Sequence, residues 1–187
     1  MDGRVPDRDS TERVEELCRL ADALIALGES KTAADLLRRE VYLARSTVPS
    51  ESIALLRLLS GYAGVLEDID AFAEADFVRA EALHIVEAAQ LATFDGVEAF
   101  LRYGQLLCKM KNFEPAIARL KEAARRAERL EDVDELRRQI VLAQAWRSLA
   151  LAYEAVGRLS QASDALDVLA TAKRRIRFLV FSISRQT

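Results

Sequence analysis

Apolar residues along this chain recur at helical intervals. Val14, Leu17, Leu20, Ala21, Leu24 and Ile25 fall three and four residues apart, the period at which one face of an α-helix repeats. Asp9 followed by Glu12 has the form of a capping box and starts this helix near Ser10. Gly28 ends it, as a residue that tolerates positive φ does. A second helix is predicted over 31–45, followed by "STVPSES", where Pro49 sits near the first position of the next helix. Helices over 50–67 and 73–90 are separated by a break at "DIDAF". Asp95 and Glu98 mark another box-like start, and "KMKNFEPA" places Pro115 in a first helical turn. "LEDVDEL" then opens a long helix to Val156, and "GRLS" turns into the last one. Residues 1–9, polar and carrying Gly3 and Pro6, read as a flexible arm.

The pattern repeats. Trp146 corresponds to Phe100, Leu59 and Leu17, and Leu149 to Tyr103, Tyr62 and Leu20. Tyr153 corresponds to Leu107, Leu66 and Leu24, while Ala150 matches Gly104, Ala63 and Ala21, all of them small. In the following helix Ala162 matches Ala116, Ala75 and Ala33. Leu166 matches Leu120 and Leu37, with Arg79 out of pattern; Leu169 matches Ala123 and Ala82, with Glu40 out of pattern. From Leu17 to Leu59, Phe100 and Trp146 the copies are spaced 42, 41 and 46 residues apart. Small residues at matched positions let the helices of a hairpin approach closely. One hairpin cannot bury both of its faces, so stacked hairpins share a core.

"W-x-x-L-A-x-x-Y … A-x-x-x-L" resembles the tetratricopeptide repeat (TPR) over about residues 10–172. The period exceeds the usual ~34 residues and is similar to the longer-helix variants of kinesin light chains and of some bacterial peptide-sensing regulators. The resemblance implies an all-α, right-handed α-solenoid of four helix-turn-helix repeats, at about 10–46, 50–90, 96–129 and 133–172, with a basic and apolar extension at 173–187. It also implies a concave groove lined by first helices. By register that groove takes Glu15, Cys18, Asp22 and Ile25 in repeat one and Arg57, Ser60, Gly64, Glu67 and Asp68 in repeat two. It takes Glu98, Leu101, Arg102, Gln105 and Lys109 in repeat three, and Gln144, Arg147, Leu151 and Glu154 in repeat four. The first two repeats are mainly acidic and the last two offer Arg102, Lys109 and Arg147, which favours an acidic portion of a bound peptide there. The groove asparagines of chaperone-binding members are missing, so that activity is not implied.

Composition agrees with helices. Of 187 residues 51% are hydrophobic and 30% charged, with only 7 Gly and 3 Pro. A net charge of −3 gives no general attraction to nucleic acid. No apolar run is long enough to span a bilayer, and the N-terminus lacks a signal-like stretch, so a cytoplasmic location is expected. Cys18 and Cys108 form no CxxC, and the single His84 supplies neither a metal pair nor a triad with a second supporting histidine. "GESKT" lacks the glycines of a phosphate loop. No catalytic residue, cofactor or metal is therefore expected.

The chain ends in "AKRRIRFLVFSISRQT", where Lys173, Arg174, Arg175 and Arg177 precede Phe178, Leu179, Val180 and Phe181. Cations suit a helix C-terminus, but the apolar run calls for a cover: a fold-back, a partner, or a second copy of the chain. The expected function is a non-enzymatic scaffold or adaptor that binds a peptide or protein segment. Alternatives are a peptide- or effector-responsive regulatory domain of a bacterial-type regulator and a non-catalytic subunit of an enzyme complex.

Overall fold

The computed structural model describes residues 8–184 apart from 48, 50, 51 and 132, with side chains from Glu12 onward. The first seven residues of the expected arm and the side chain of Asp9 lie outside the described residues. Eight α-helices and no strand occur among the described residues: α1 (Arg8–Ala26), α2 (Ser30–Thr47), α3 (Ile53–Asp68), α4 (Phe72–Ala88), α5 (Phe94–Lys109), α6 (Phe113–Arg129), α7 (Glu135–Ala155) and α8 (Leu159–Ile183). They form four hairpins and fall into two compact units, the first ending at Gln90 and the second beginning at Leu91.

Each hairpin turns by the same backbone device. Gly28, Asp70, Lys111 and Gly157 adopt positive φ (81°, 57°, 61° and 75°), spaced as the repeats are. One residue further on, the N–H groups of Glu29, Ala71, Asn112 and Arg158 each donate to a carbonyl five residues back, at Leu24, Leu66, Leu107 and Tyr153, at 2.8 Å in all four. This is the Schellman closure, which satisfies carbonyls orphaned at a helix end. The N–H of Ala33, Ala75, Ala116 and Ala162 then makes an early bond of the next helix, at 3.0–3.2 Å. Two turns use glycine, whereas Asp70 and Lys111 accept the left-handed conformation at a cost.

Helix starts are set by side-chain caps at Ser52, Thr93 and Asp134, which accept from the N–H groups of Ala54, Gly96 and Arg137. The start expected at Asp95 is thus made by Thr93, two residues earlier. The small residues aligned above are buried in all four hairpins. Gly104 shows why they are small. A Cβ there would lie 2.6 Å from Leu120 Cγ and 3.3 Å from the Ala116 carbonyl oxygen.

Two positions aligned as core differ from that expectation. Leu20 is 50% exposed and Leu166 45%. The two residues out of pattern are each matched by an opposite charge. Arg79, buried, donates to Glu67 Oε1 at 2.9 Å, and Glu40 accepts from Arg13 at 3.0 Å. The basic and apolar extension is no separate segment in the described residues. It continues α8, whose 25 residues run without a break to Ile183.

Candidate functional site

Within each unit the first helices of the two hairpins come together. The backbones of α1 and α3 approach one another, as do those of α5 and α7, while those of α2 and α4, and of α6 and α8, stay apart. Long side chains span the wider gap in unit 1, Arg38 to Glu74 and Arg45 to Glu81. Each unit therefore curves toward its first-helix side.

In unit 1 this side is held by Arg57, whose Nη1 stands 3.5 Å from Glu15 Oε1 across α3 and α1. Gly61 permits the approach: a Cβ there would meet Cys18 Sγ at 3.1 Å. One turn on, a Cβ on Gly64 would meet nothing within 4 Å, so its backbone lies open beside half-buried Ser60. Asp22 and Asp68 are exposed. Burial first, then the Asp22 carboxylate, pushes the Cys18 thiol above its ordinary pKa, and burial alone does so for Cys108. Both stay protonated thiols that fill space.

Glu67 is placed differently from expectation. Its side chain is only 10% exposed and is committed to Arg79 in the middle of the hairpin, so it does not present a free charge to a ligand. The signal was available in the sequence. Glu67 and Arg79 stand at matched positions of two paired helices where repeat one has Ile25 and Leu37 and repeat three has Cys108 and Leu120.

In unit 2, Arg102 is exposed on α5 and, among the described residues, bonds only Gln105, at 3.5 Å. Arg147 is exposed on α7, with Leu151 (57% exposed) and Glu154 on the same helical face. Neither arginine forms an ion pair among the described residues. Lys109 ends α5 and is exposed, Gln105 and Glu98 are half-buried, and Gln144 is half-buried on α7. Leu101 is fully buried and leaves the expected lining. The structure thus brings together Arg57 with Glu15 in unit 1 and Arg102 with Gln105 in unit 2.

Unit 2 also holds a cleft of about 330 Å³ whose walls include Trp146, Arg138, Gln139, Val168 and Thr171. Trp146 Nε1 and Arg138 Nε are buried there without a hydrogen-bond partner among the described residues. Trp146 itself is half-buried.

The geometry matches solved helical-repeat proteins. BtubC (BKLC) from P. vanneervenii superposes with a TM-score of 0.78 at 16% identity, over 93% of this chain and 68% of that one. The chain has a TPR-like repeat fold. A kinesin-light-chain-type protein of nearly identical TPR-like repeats from Podosopora anserina gives a TM-score of 0.70 at 18% identity, over 94% of this chain and 79% of its own. No protein-family model and no curated protein matches the sequence at a significant level. The TPR-like solenoid class accounts for the repeated Schellman turns and the paired small residues.

Proposed function

We propose that this TPR-like chain is a non-catalytic interaction scaffold whose unit 2 first-helix face binds an acidic, extended or helical peptide segment. The observation that carries the reading is that Arg102 on α5 and Arg147 on α7 are exposed and form no ion pair among the described residues, on first helices that approach one another in unit 2. Arg38, Arg45 and Arg158, by contrast, are answered by carboxylates. Leu151 beside Arg147 supplies an apolar anchor, and Lys109 and Gln105 extend the face along α5. Arginine pairs well with carboxylates because its planar fork donates in parallel.

The unit 1 face, with Asp22 and Asp68 around the open backbone of Gly64 and the Arg57–Glu15 bridge, suits a neutral or basic portion of a partner. The partner is a protein, no nucleic acid is called for, and a cytoplasmic setting fits this role. No helix among the described residues is long and apolar enough to cross a membrane.

Fluorescence anisotropy with a labelled peptide of interspersed Glu and Leu tests the unit 2 face. The chain binds it with an affinity that falls as salt rises. Arg102→Glu combined with Arg147→Glu weakens binding by roughly a hundredfold, the effect of reversing two charge contacts. Equal binding by the double variant, with its helicity intact, overturns the reading.

A further inference from the structure

The gap between the second helices of unit 1 is closed by side chains. Arg45 on α2 donates to Glu81 on α4, through Nε at 2.9 Å, and Leu59 on α3, aligned with Trp146, is fully buried. In the register that pairs Leu37 with Leu120 and Ala75 with Ala162, Arg45 corresponds to Glu128 and Glu81 to Val168. Unit 2 therefore lacks both partners of that bridge. Glu128 and Val168 instead line the cleft of about 330 Å³ between α6, α7 and α8. Trp146, in the place of Leu59, stands half-buried on its wall.

The cleft carries charges of both signs, and only some are answered. Arg138 pairs with Glu135 at 2.9 Å, and Gln139 donates to the same carboxylate at 2.9 Å. Glu128 on α6 and Arg175 on α8 are exposed and form no ion pair among the described residues. Arg175 lies two turns of α8, about 10 Å, beyond Val168, the residue that takes the place of Glu81. The N–H groups at Trp146 Nε1 and Arg138 Nε, without a partner among the described residues, leave the same walls short of hydrogen-bond acceptors.

We propose that this cleft binds an arginine residue with a free carboxylate, either the amino acid itself or the last residue of a peptide. Its guanidinium takes the place that Arg45 fills in unit 1. There it stacks on the indole of Trp146 and is answered by Glu128. The ligand's carboxylate extends along α8 to Arg175 and brings in the acceptor that the cleft lacks. In an extended arginine the two charged groups stand about 7 Å apart, and the side chains of Glu128 and Arg175 reach over the remaining distance. Val168 and Ala172 flank its methylene stem.

Other ligand classes fit less well. A purely anionic ligand would meet the unanswered carboxylate of Glu128, and a purely cationic one would leave Arg175 unanswered. Lysine offers a point charge where the indole suits a planar group, and it makes no forked bond to a carboxylate. The cleft is separate from the first-helix face of unit 2. Two of its walls, α6 and α8, are second helices, and neither Arg102 nor Arg147 lines it.

Trp146 is the single tryptophan, so its emission reports on the cleft directly. Titrations of the full chain with L-arginine and with acetyl-Gly-Arg bearing a free carboxylate, each repeated by calorimetry, reach saturation. The tighter of the two identifies the source as the free amino acid or a chain end. Citrulline, neutral in place of the guanidinium, and agmatine, which lacks the carboxylate, bind at least about tenfold more weakly. Glu128→Gln removes the preference for arginine over citrulline, and Arg175→Gln removes the preference over agmatine, with helicity checked by circular dichroism. No saturation by either arginine probe overturns the proposal. So does binding of citrulline or agmatine as tight as that of arginine, or variants that bind arginine as the wild type does. Neither variant touches Arg102 or Arg147, so failure here is distinct from loss of acidic-peptide binding at the first-helix face.

Discussion

Arg79 and Glu67 place a full ion pair where neighbouring hairpins place apolar or neutral side chains. With Arg79 5% exposed and Glu67 10%, both charges are largely stripped of water. A pair of this kind is costly to form and costlier to break. Glu67→Ala, which strands the guanidinium, therefore destabilises the chain by roughly 3–5 kcal/mol in urea unfolding. Glu67→Ile with Arg79→Leu installs the pair of repeat one and leaves stability unchanged or raised; a loss as large as that of the single variant would contradict this account. The turn residues make a second case. Lys111 holds φ at 61°, a conformation that costs a residue with a Cβ about 1 kcal/mol. Lys111→Gly is expected to raise stability by up to that amount, and Gly157→Ala to lower it by about as much. Cys18 and Gly61 are matched in size across α1 and α3. Gly64 has no such reason to be small. Gly64→Ala should stabilise α3 by about 0.5–1 kcal/mol, and if a ligand backbone lies over it, weaken binding at the unit 1 face.

At the scale of helices, the hairpins were legible because close approach demands small residues in pairs. Ala33, Ala75, Ala116 and Ala162 recur in one register, and all are buried. Gly104 fits so tightly against Leu120 that Gly104→Ala must displace it, at a cost of roughly 1–3 kcal/mol. Ala116→Leu, at the other side of that joint, should cost at least as much; an unchanged melting temperature would contradict the register. Other features were harder to read from local pattern. The turns at Asp70 and Lys111 carry no glycine, so their conformation is imposed by helix closure on either side. Leu20 and Leu166 have the right residue type for a core and are nonetheless exposed, which residue type alone does not report. Leu101 sits at a lining position by register and is buried by packing, which register alone does not report. Arg79 and Glu40 stood out of pattern singly and make sense only with Glu67 and Arg13. α2, α3 and α4 are joined by one polar cluster in which Tyr62 O–H donates to Glu74 and accepts from Arg38 Nε at 2.9 Å. The alignment of Tyr62 with Leu149 and Leu20 gave no sign of this cluster, because its hydroxyl partners are remote along the chain.

For the whole molecule, acid should act through carboxylates held in their charged form. Hydrogen bonds from Arg125, and then Arg126, hold the Glu122 pKa down to about 2 from an ordinary 4.5, and the Tyr62 and Arg38 hydrogen bonds lower that of Glu74. A depressed folded-state pKa contributes stability above the unfolded value and loses it as pH falls through the folded one. Stability should thus decline between about pH 4.5 and 2, and Glu122→Gln should flatten that decline in unit 2, followed by the fluorescence of Trp146, the single tryptophan. At the alkaline end burial first, and then the hydrogen bond to Glu74, pushes Tyr62 up to about 12. Its contribution is complete below pH 10 and fades as pH rises toward 12. These terms tune a scaffold whose proposed work is done by exposed side chains. Backbone amide shifts of the labelled chain titrated with the Glu and Leu peptide test that proposal most directly. The account predicts changes concentrated at Arg102, Gln105, Arg147 and Leu151 on the first helices of unit 2; changes confined to α6 and α8, or none at saturating peptide, would contradict it.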